Sequence, residues 1–314
     1  MPYNSLIDRT DAAALIPEEV SREIVQALPA QSAILRTFRR VTMSRAQQRM
    51  PVLAALATAY WVNGDTGLKQ TTEIAWQNMY LNAEELAVIV PVPQAVLDDA
   101  DYDIWGEVRP RLVEAFGRAI DAAALFGTNK PASWPAAIVP AAIAAGHSVA
   151  LGTGADIVDD IGGANGIMAK VEADGFDVNT FWGATSVKAL LRGLRTAEGA
   201  LIFQPSMVAN TPTTLYGQPL EFPGNGAWDD TQALLVCGDR TMGIVGIRQD
   251  IQIRVLDQAV ITDAGGTIIY NLAQQDMVAL RATMRVAFQV ANPLTNMQPN
   301  AAQRYPFAVL TPAA

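Results

Sequence analysis

The sequence predicts an α+β fold drawn out into a flat, elongated slab, and three features carry that reading. The first is a long amphipathic helix at about Asp103–Phe126; the second is a long single-faced strand at Val278–Val290. The third is a two-stranded excursion that turns at Asn63-Gly64-Asp65-Thr66-Gly67.

In the helix, Ile104, Val108, Leu112, Ala115, Phe116, Ala119, Ile120 and Ala123 share one arc at the 3.6-residue period. Glu107, Arg111, Glu114, Arg118 and Asp121 lie on the opposite arc, and a Glu precedes an Arg by four residues twice, the favourable order. Gly127 terminates it. Pro110 predicts a kink or a strained first turn. Such a helix is about 36 Å long.

In the strand, Val278, Leu280, Ala282, Met284, Val286, Phe288 and Val290 face one way, while Arg281, Thr283, Arg285 and Gln289 face the other. Its length is about 40 Å, well beyond the usual strand. A helix and a strand of matching length make a slab, and slabs tile.

The excursion runs from Val41 to Asn82. Asn-Gly is a hairpin signal, with apolar residues before it (Val52–Val62) and a partly alternating run after it (Ile74, Trp76). A lone hairpin is marginally stable in water, so this one is expected to rest on a partner.

The remaining elements read as follows. A short helix opens at Pro17-Glu18-Glu19, buries Val20, Ile24 and Leu28, and stops at Pro29, with an extended polar arm before it. Leu86–Val92 is an apolar strand leading to a short helix at Pro93–Asp99. Residues 128–152, rich in Ala and Pro, read as irregular. Then come a helix at Ile157–Ala173, a strand at Phe176–Trp182 and a helix at Ser186–Leu194. Pro205–Ala227 is loop-rich; Leu234–Cys237 and Gly243–Ile247 are buried strands, followed by the alternation Ile251, Ile253, Val255.

Composition says how such a chain makes its living. Charged residues form 17% of its 314 residues, against roughly 25% in ordinary soluble proteins. Hydrophobic residues form 50%. One monomer cannot bury that much apolar surface, so either a membrane or copies of itself must cover it. The longest weakly polar stretch, Ser133–Leu151, contains Pro135, Pro140 and Gly146, which break a spanning helix. The N-terminus carries no basic segment followed by an apolar core, so no signal peptide is expected. Self-association is the better account.

The net charge of −9 argues against tight nucleic-acid binding by the whole surface. One basic cluster stands out: Arg36, Arg39, Arg40, Arg45 and Arg49. It suits either phosphate or the acidic patches of a neighbouring subunit. The lone Cys237 forbids an intrachain disulfide and excludes cysteine-rich zinc sites.

No catalytic constellation emerges. Gly146-His147-Ser148-Val149-Ala150 looks like a degenerate nucleophile elbow, but the only His precedes the Ser, whereas that triad needs one after it. Gly64–Gln70 has glycines and Lys69 but lacks the Gly-Lys-Ser/Thr of a phosphate loop. Gly162–Gly166 lies within or beside a helix, the wrong place for a dinucleotide fingerprint. Asp98, Asp99, Asp101 and Asp103 fit helix caps better than a cation site. A Cys237–His147 pair has no local support. Neither enzyme activity, nor cofactor, nor metal is expected.

The order of parts resembles the major capsid protein of tailed double-stranded-DNA phages, with the Hong Kong 97-like fold. The likeness rests on Ile16-Pro17-Glu18-Glu19-Val20, the hairpin from Gly64-Asp65 to Thr72, and Val96-Leu97-Asp98-Asp99-Ala100. It continues through Asp121–Gly127, Leu215-Tyr216-Gly217-Gln218-Pro219-Leu220, Gly238-Asp239 and Arg285–Pro293, so it covers about residues 16–293.

That resemblance implies an N-terminal arm (1–40) and an extended loop, the E-loop hairpin (41–83). It implies a peripheral domain (84–150 and 241–292) with the spine helix at 103–126, an axial domain (151–240) and a C-terminal tail (293–314). Hexamers and pentamers would enclose the DNA genome in an icosahedral shell, assembled in the host cytoplasm and ending in the virion. Trp61, Gly64, Asp65, Lys69 and Trp76 would make the E-loop contacts with a neighbour. A portal, a separate scaffolding protein and a decoration protein are the implied partners, with packaged DNA held non-specifically inside and no membrane. Some members cross-link a hairpin lysine to an asparagine. Lys69 sits at the lysine position, but Asp276 falls near the asparagine and Thr283 near the catalytic glutamate, so the shell is expected to be non-covalent. The rivals are a bacterial nanocompartment (encapsulin-like) shell protein and a soluble α/β enzyme using residues 151–240.

Overall fold

The alternation at the C-terminal end becomes the middle of a sheet that holds the long helix on one face. The structure, a computed structural model, describes residues 32–53, 56, 72, 75–95, 104–194, 213–263 and 265–313. In chain order the elements begin with α1 (Ala33–Thr37), β1 (Arg39–Thr42), β2 (Gln47–Leu53), β3 (Trp76–Asn82), β4 (Glu84–Pro93) and α2 (Ile104–Leu125). Next are α3 (Ile138–Ala144), β5 (Ser148–Ala150), α4 (Ile157–Gly162), α5 (Ile167–Ala173), β6 (Thr180–Gly183) and α6 (Val187–Gly193). The last are β7 (Thr214–Leu215), β8 (Gln218–Glu221), β9 (Leu235–Gly238), β10 (Gly243–Leu256), β11 (Val260–Thr262), β12 (Ile268–Asn271), β13 (Met277–Val290) and β14 (Phe307–Thr311).

The first sheet has the order β1-β10-β13-β4. Both central strands are 14 residues long. The apolar face expected for β13 packs on α2: Ala282, Met284, Val286 and Phe288 share a core with Leu112, Phe116, Ile120 and Ala123. Strand β10 joins the two short segments read separately from the sequence. Its register against β13 slips between Ile247 and Gln249 and again between Gln249 and Gln252. One slip would turn every later side chain to the wrong face; the second restores it, so Val245, Ile251 and Ile253 all point to the core.

The second sheet has the order β5-β14-β9-β6-β8-β7. Both its faces are buried, which is why its strands read as unbroken apolar runs. Trp182, Val236, Phe307 and Val309 face the core shared with α2, and Phe181, Leu235, Cys237, Ala308 and Leu310 face a second core with α4, α5 and α6. Phe38 locks the two sheets together, its ring 5.4 Å from Trp182, 5.9 Å from Phe307 and 6.3 Å from Phe288. Gly243 passes beneath that ring, where a Cβ would lie 2.6 Å from its carbons.

Several expectations need correction. Ser148–Ala150 and Phe307–Thr311, assigned to the 84–150 segment and to a C-terminal tail, are strands of the second sheet, with β14 between β5 and β9. Residues 32–40 are no free arm, since Ala33, Ile34, Leu35 and Phe38 are buried. The stretch 128–152 contains α3 and β5; Pro140 sits in the first turn of α3, where its missing N–H has no intrahelical acceptor to lose. The single helix read at Ile157–Ala173 is two, α4 and α5, separated at Gly163–Gly166. Helix α2 runs through Pro110 and ends at Gly127, whose φ is +80°. The helix read at Pro17–Pro29 and most of the one read at Pro93–Asp99 lie outside the described residues.

The sharpest difference concerns Asp121. Expected on the polar arc of α2, it is fully buried. Its Oδ1 accepts from Ser32 Oγ (2.6 Å) and Ile34 N (3.1 Å), and its Oδ2 accepts from Ala33 N (3.0 Å) and Asn225 Nδ2 (2.7 Å). The last turns of the helix are covered by α1 and the loop at Asn225, so the polar arc there meets protein instead of water. Burial pushes the carboxyl up from the ordinary carboxylate range, and the four donors oppose that rise. Replacing Asp121 by Ala strands all four donors and is expected to destabilise the isolated subunit by about 3 kcal/mol or more. A urea melt checks this, and an unchanged midpoint contradicts it.

Candidate assembly surface

Strands β2 and β3 form a separate two-stranded ribbon paired from Gln47–Asn82 to Leu53–Trp76. The pairing is symmetric about the 64/65 peptide, where the turn was read from the sequence. That turn, with Trp61, Gly64, Asp65 and Lys69, lies outside the described residues.

The base of the ribbon rests on the face of the first sheet opposite α2. Leu81 is fully buried with Met43, Ile244 and Ala287, flanked by Val41, Met50 and Met79. Gln289 Nε2 donates to Tyr80 O at 3.2 Å, and Asn82 Nδ2 donates to Ser133 O at 3.2 Å. The far described end is also tied to the body, where Leu294 N donates to Leu53 O at 3.2 Å. Trp76, at its described end, is 68% exposed, and Tyr80 is 45% exposed. A second ribbon, β11–β12, exposes Val260, Ile268 and Ile269 at the other end of β10. These are among the large apolar side chains left uncovered in the described residues, with others such as Ile143, Leu190 and Met297 elsewhere on the body.

The five arginines lie along one continuous piece of chain running from the edge strand β1 into the ribbon, and all are exposed. Arg36 is spoken for within its own chain, 2.6 Å from Glu221 Oε2. Arg40 Nε donates to Leu35 O at 2.8 Å. Arg39, Arg45 and Arg49 have no ion-pair partner among the described residues. An open groove of about 1120 Å³ lies on the α2 side, rimmed by Glu84, Arg111, Glu114, Arg118 and Asp229.

The catalytic candidates are not brought together. His147 is buried with its Nε2 3.1 Å from Asp174 Oδ2. Cys237 is fully buried in β9 within the other core, and burial pushes its thiol far up. Ser148 opens a strand that follows a helix, the reverse of a nucleophile elbow. The glycines at 162–166 join two helices. The Asp98–Asp103 cluster and the Gly64–Gln70 loop lie outside the described residues, and among the described residues no group of three or more His, Cys, Asp or Glu is placed to hold a metal ion. No helix among the described residues is long and apolar enough to cross a membrane.

What sequence reasoning missed is a set of buried polar clamps. Asp174 Oδ2 also accepts from Tyr305 N at 2.8 Å, and the Asp174 carbonyl accepts from Thr295 Oγ1 at 2.6 Å. Asp160 accepts from Gly152 N (2.7 Å) and Gly154 N (2.6 Å). Arg304, 4% exposed, donates to Asn292 Oδ1 (3.0 Å) and Gln298 O (2.7 Å).

The phage capsid family matches residues 12–294, nearly the whole length of both sheets and the ribbon. The chain belongs to that family. The major capsid protein of Staphylococcus phage 80alpha is 28% identical over 280 residues, covering 87% of this chain and 81% of that one. A solved chain of Microbacterium phage Oxtober96 is 45% identical, with TM-score 0.78, covering 90% of this chain and 91% of that chain. One of Mycobacterium phage Cain is 37% identical, with TM-score 0.78 and 98% of each chain covered. The expected Hong Kong 97-like α+β fold is therefore the fold of this phage capsid protein, a structural component of the virion that forms icosahedral shells. The nanocompartment reading gives way, since the matching structures are phage capsids. The family is a structural one, not an enzyme family.

For this capsid protein, Leu81 is the side chain that seats the ribbon. Leu81→Ala is expected to cost about 2–4 kcal/mol locally. Hydrogen exchange checks it: protection falls at 47–53 and 76–82 while β9 and β14 keep theirs. Uniform loss across both sheets contradicts the anchor.

Proposed function

We propose that this chain builds the shell of a tailed double-stranded-DNA phage as hexamers and pentamers held by non-covalent contacts. The observation that carries the reading is the β2–β3 ribbon. It is anchored in the body by Leu81, yet it presents Trp76 at 68% exposure. A two-stranded ribbon is marginal in water, and a large aromatic left open on one is stabilised when another surface covers it. The ribbon is the E-loop, and its contacts with the neighbour are made by Trp61, Gly64, Asp65, Lys69 and Trp76.

In this reading the first sheet and α2 form the peripheral domain and the second sheet forms the axial domain, with β5 and β14 moved to the latter. Arg39, Arg45 and Arg49, without an ion-pair partner among the described residues, bind either acidic groups of a neighbour or phosphate. Packaged DNA lies non-specifically on the inner face. Assembly takes place in the host cytoplasm with a portal, a separate scaffolding protein and a decoration protein as partners. The repeated contacts around closed rings supply the shell's stability.

Electron microscopy of material purified from expressing cells tests the proposal directly: closed particles are expected, and a soluble monomer at high protein concentration overturns it. Trp76→Ser is expected to leave the melting of the isolated subunit unchanged while lowering the yield of closed particles at least tenfold. Asp276 is exposed and Thr283 only partly buried; the first offers a carboxylate where a lysine cross-link needs an amide, and the second a hydroxyl where it needs a carboxylate. Boiled particles are therefore expected to run as a single monomer band on a denaturing gel; a ladder of higher bands contradicts the non-covalent shell.

A further inference from the structure

The face of the first sheet opposite α2 is covered by the ribbon base near Ala287 and Gln289, and it is open further along. There Arg281 on β13 lies directly across from Arg254 on β10, with Ile89 of β4 on the other side. Two like charges at directly opposed positions destabilise a sheet. Their neighbours on that face, Thr283, Gln252, Ala279 and Ala87, carry no negative charge. Glu85, further along β4, is already taken by Arg285, at 2.9 Å to Nε and 2.7 Å to Nη2.

Arg281 adds a second, independent sign. Its Nε is buried and has no hydrogen-bond partner among the described residues. A buried donor left unmade costs free energy and calls for an explanation. Ile89 beside it is 42% exposed, so the guanidinium pair has an apolar rim. An isolated subunit thus holds an arrangement that weakens it: two opposed cations, an orphan donor and an open isoleucine in one patch.

We propose that the Arg254–Arg281 pair is a carboxylate-binding contact completed by a second copy of this chain. The inference rests on the shell reading above. A guanidinium presents paired donors matched to a carboxylate, and two of them converging on one group neutralise each other's repulsion. Charge complementarity names the occupant: each copy carries 31 acidic residues against 22 Lys and Arg. The patch also continues the face on which the chain already seats its own ribbon. The carboxylate offsets the repulsion and supplies an acceptor, and the copy that brings it covers Ile89, so the pair favours the assembled state over the free subunit.

The test compares Arg254→Gln/Arg281→Met with the unaltered chain in two states, free subunit and closed particle. The free variant is expected to melt at the same temperature or higher, because a repulsion and an orphan donor are gone. Its particles are expected to melt several degrees lower than unaltered ones and to need at least tenfold more protein to assemble. Raising sodium chloride should loosen unaltered particles and affect the variant's less. Variant particles as stable as unaltered ones overturn the inference, as does a free variant destabilised as much as its particles. A loss confined to DNA-filled particles, with empty ones unchanged, overturns it in favour of phosphate. If the unaltered chain forms no particles, the shell reading itself fails; if it does and the variant matches it, only the arginine contact fails.

Discussion

Everything in the body of this subunit hangs from one buried carboxylate. Asp121 gathers Ser32, Ala33, Ile34 and Asn225 with four hydrogen bonds, two to each oxygen. That holds the start of α1 against the end of α2, and α1 delivers Phe38 to the junction of both sheets. From Phe38 the chain passes straight into β1 and then into the ribbon. The position of the ribbon is therefore set through a short path from the core. A carboxylate suits this task because every group facing it is a donor, and no neutral side chain of similar size offers two acceptor oxygens without a donor of its own.

The long strands show a related economy of constraint. A flat two-faced sheet some 14 residues long must twist, and β10 absorbs the strain with paired register slips that leave its facing unchanged. One face remains with α2 while the other is free for the ribbon base and, beyond it, for the arginine pair. Rigidity in the body and exposure at the margins coexist because the slips are confined to the middle of one strand.

The elements legible in the sequence were those whose signal is local and periodic. The α2 arc, the alternation of β13 and the symmetry of the ribbon all follow from residues within one element, and these three sufficed for the fold class. Signals that depend on distant partners were invisible. Asp121 sits on a polar arc by its spacing, and only the arrival of Ser32 and Asn225, 89 and 104 residues away, buries it. Asp174 is likewise claimed by Tyr305, 131 residues on. Strand β14 was passed over because it is short and follows a proline-rich stretch, although it is paired on both sides in the sheet. The candidate contact residues were chosen by resemblance and chemistry. Of these, Trp76 and the five arginines are found exposed, and Arg36 proves to have a partner at home.

The place of β14 also bears on the order in which this molecule is made. Leu310 pairs with Val149 on one side and Leu235 on the other, closing a sheet whose other strands were synthesised long before. Until residues 307–311 emerge from the ribosome, edge strand β5 has nothing to pair with and both cores lack a wall. A nascent or prematurely terminated chain is thus unable to present a finished body. A chain that stops short of residue 307 closes neither core, even though every earlier strand of the sheet is present.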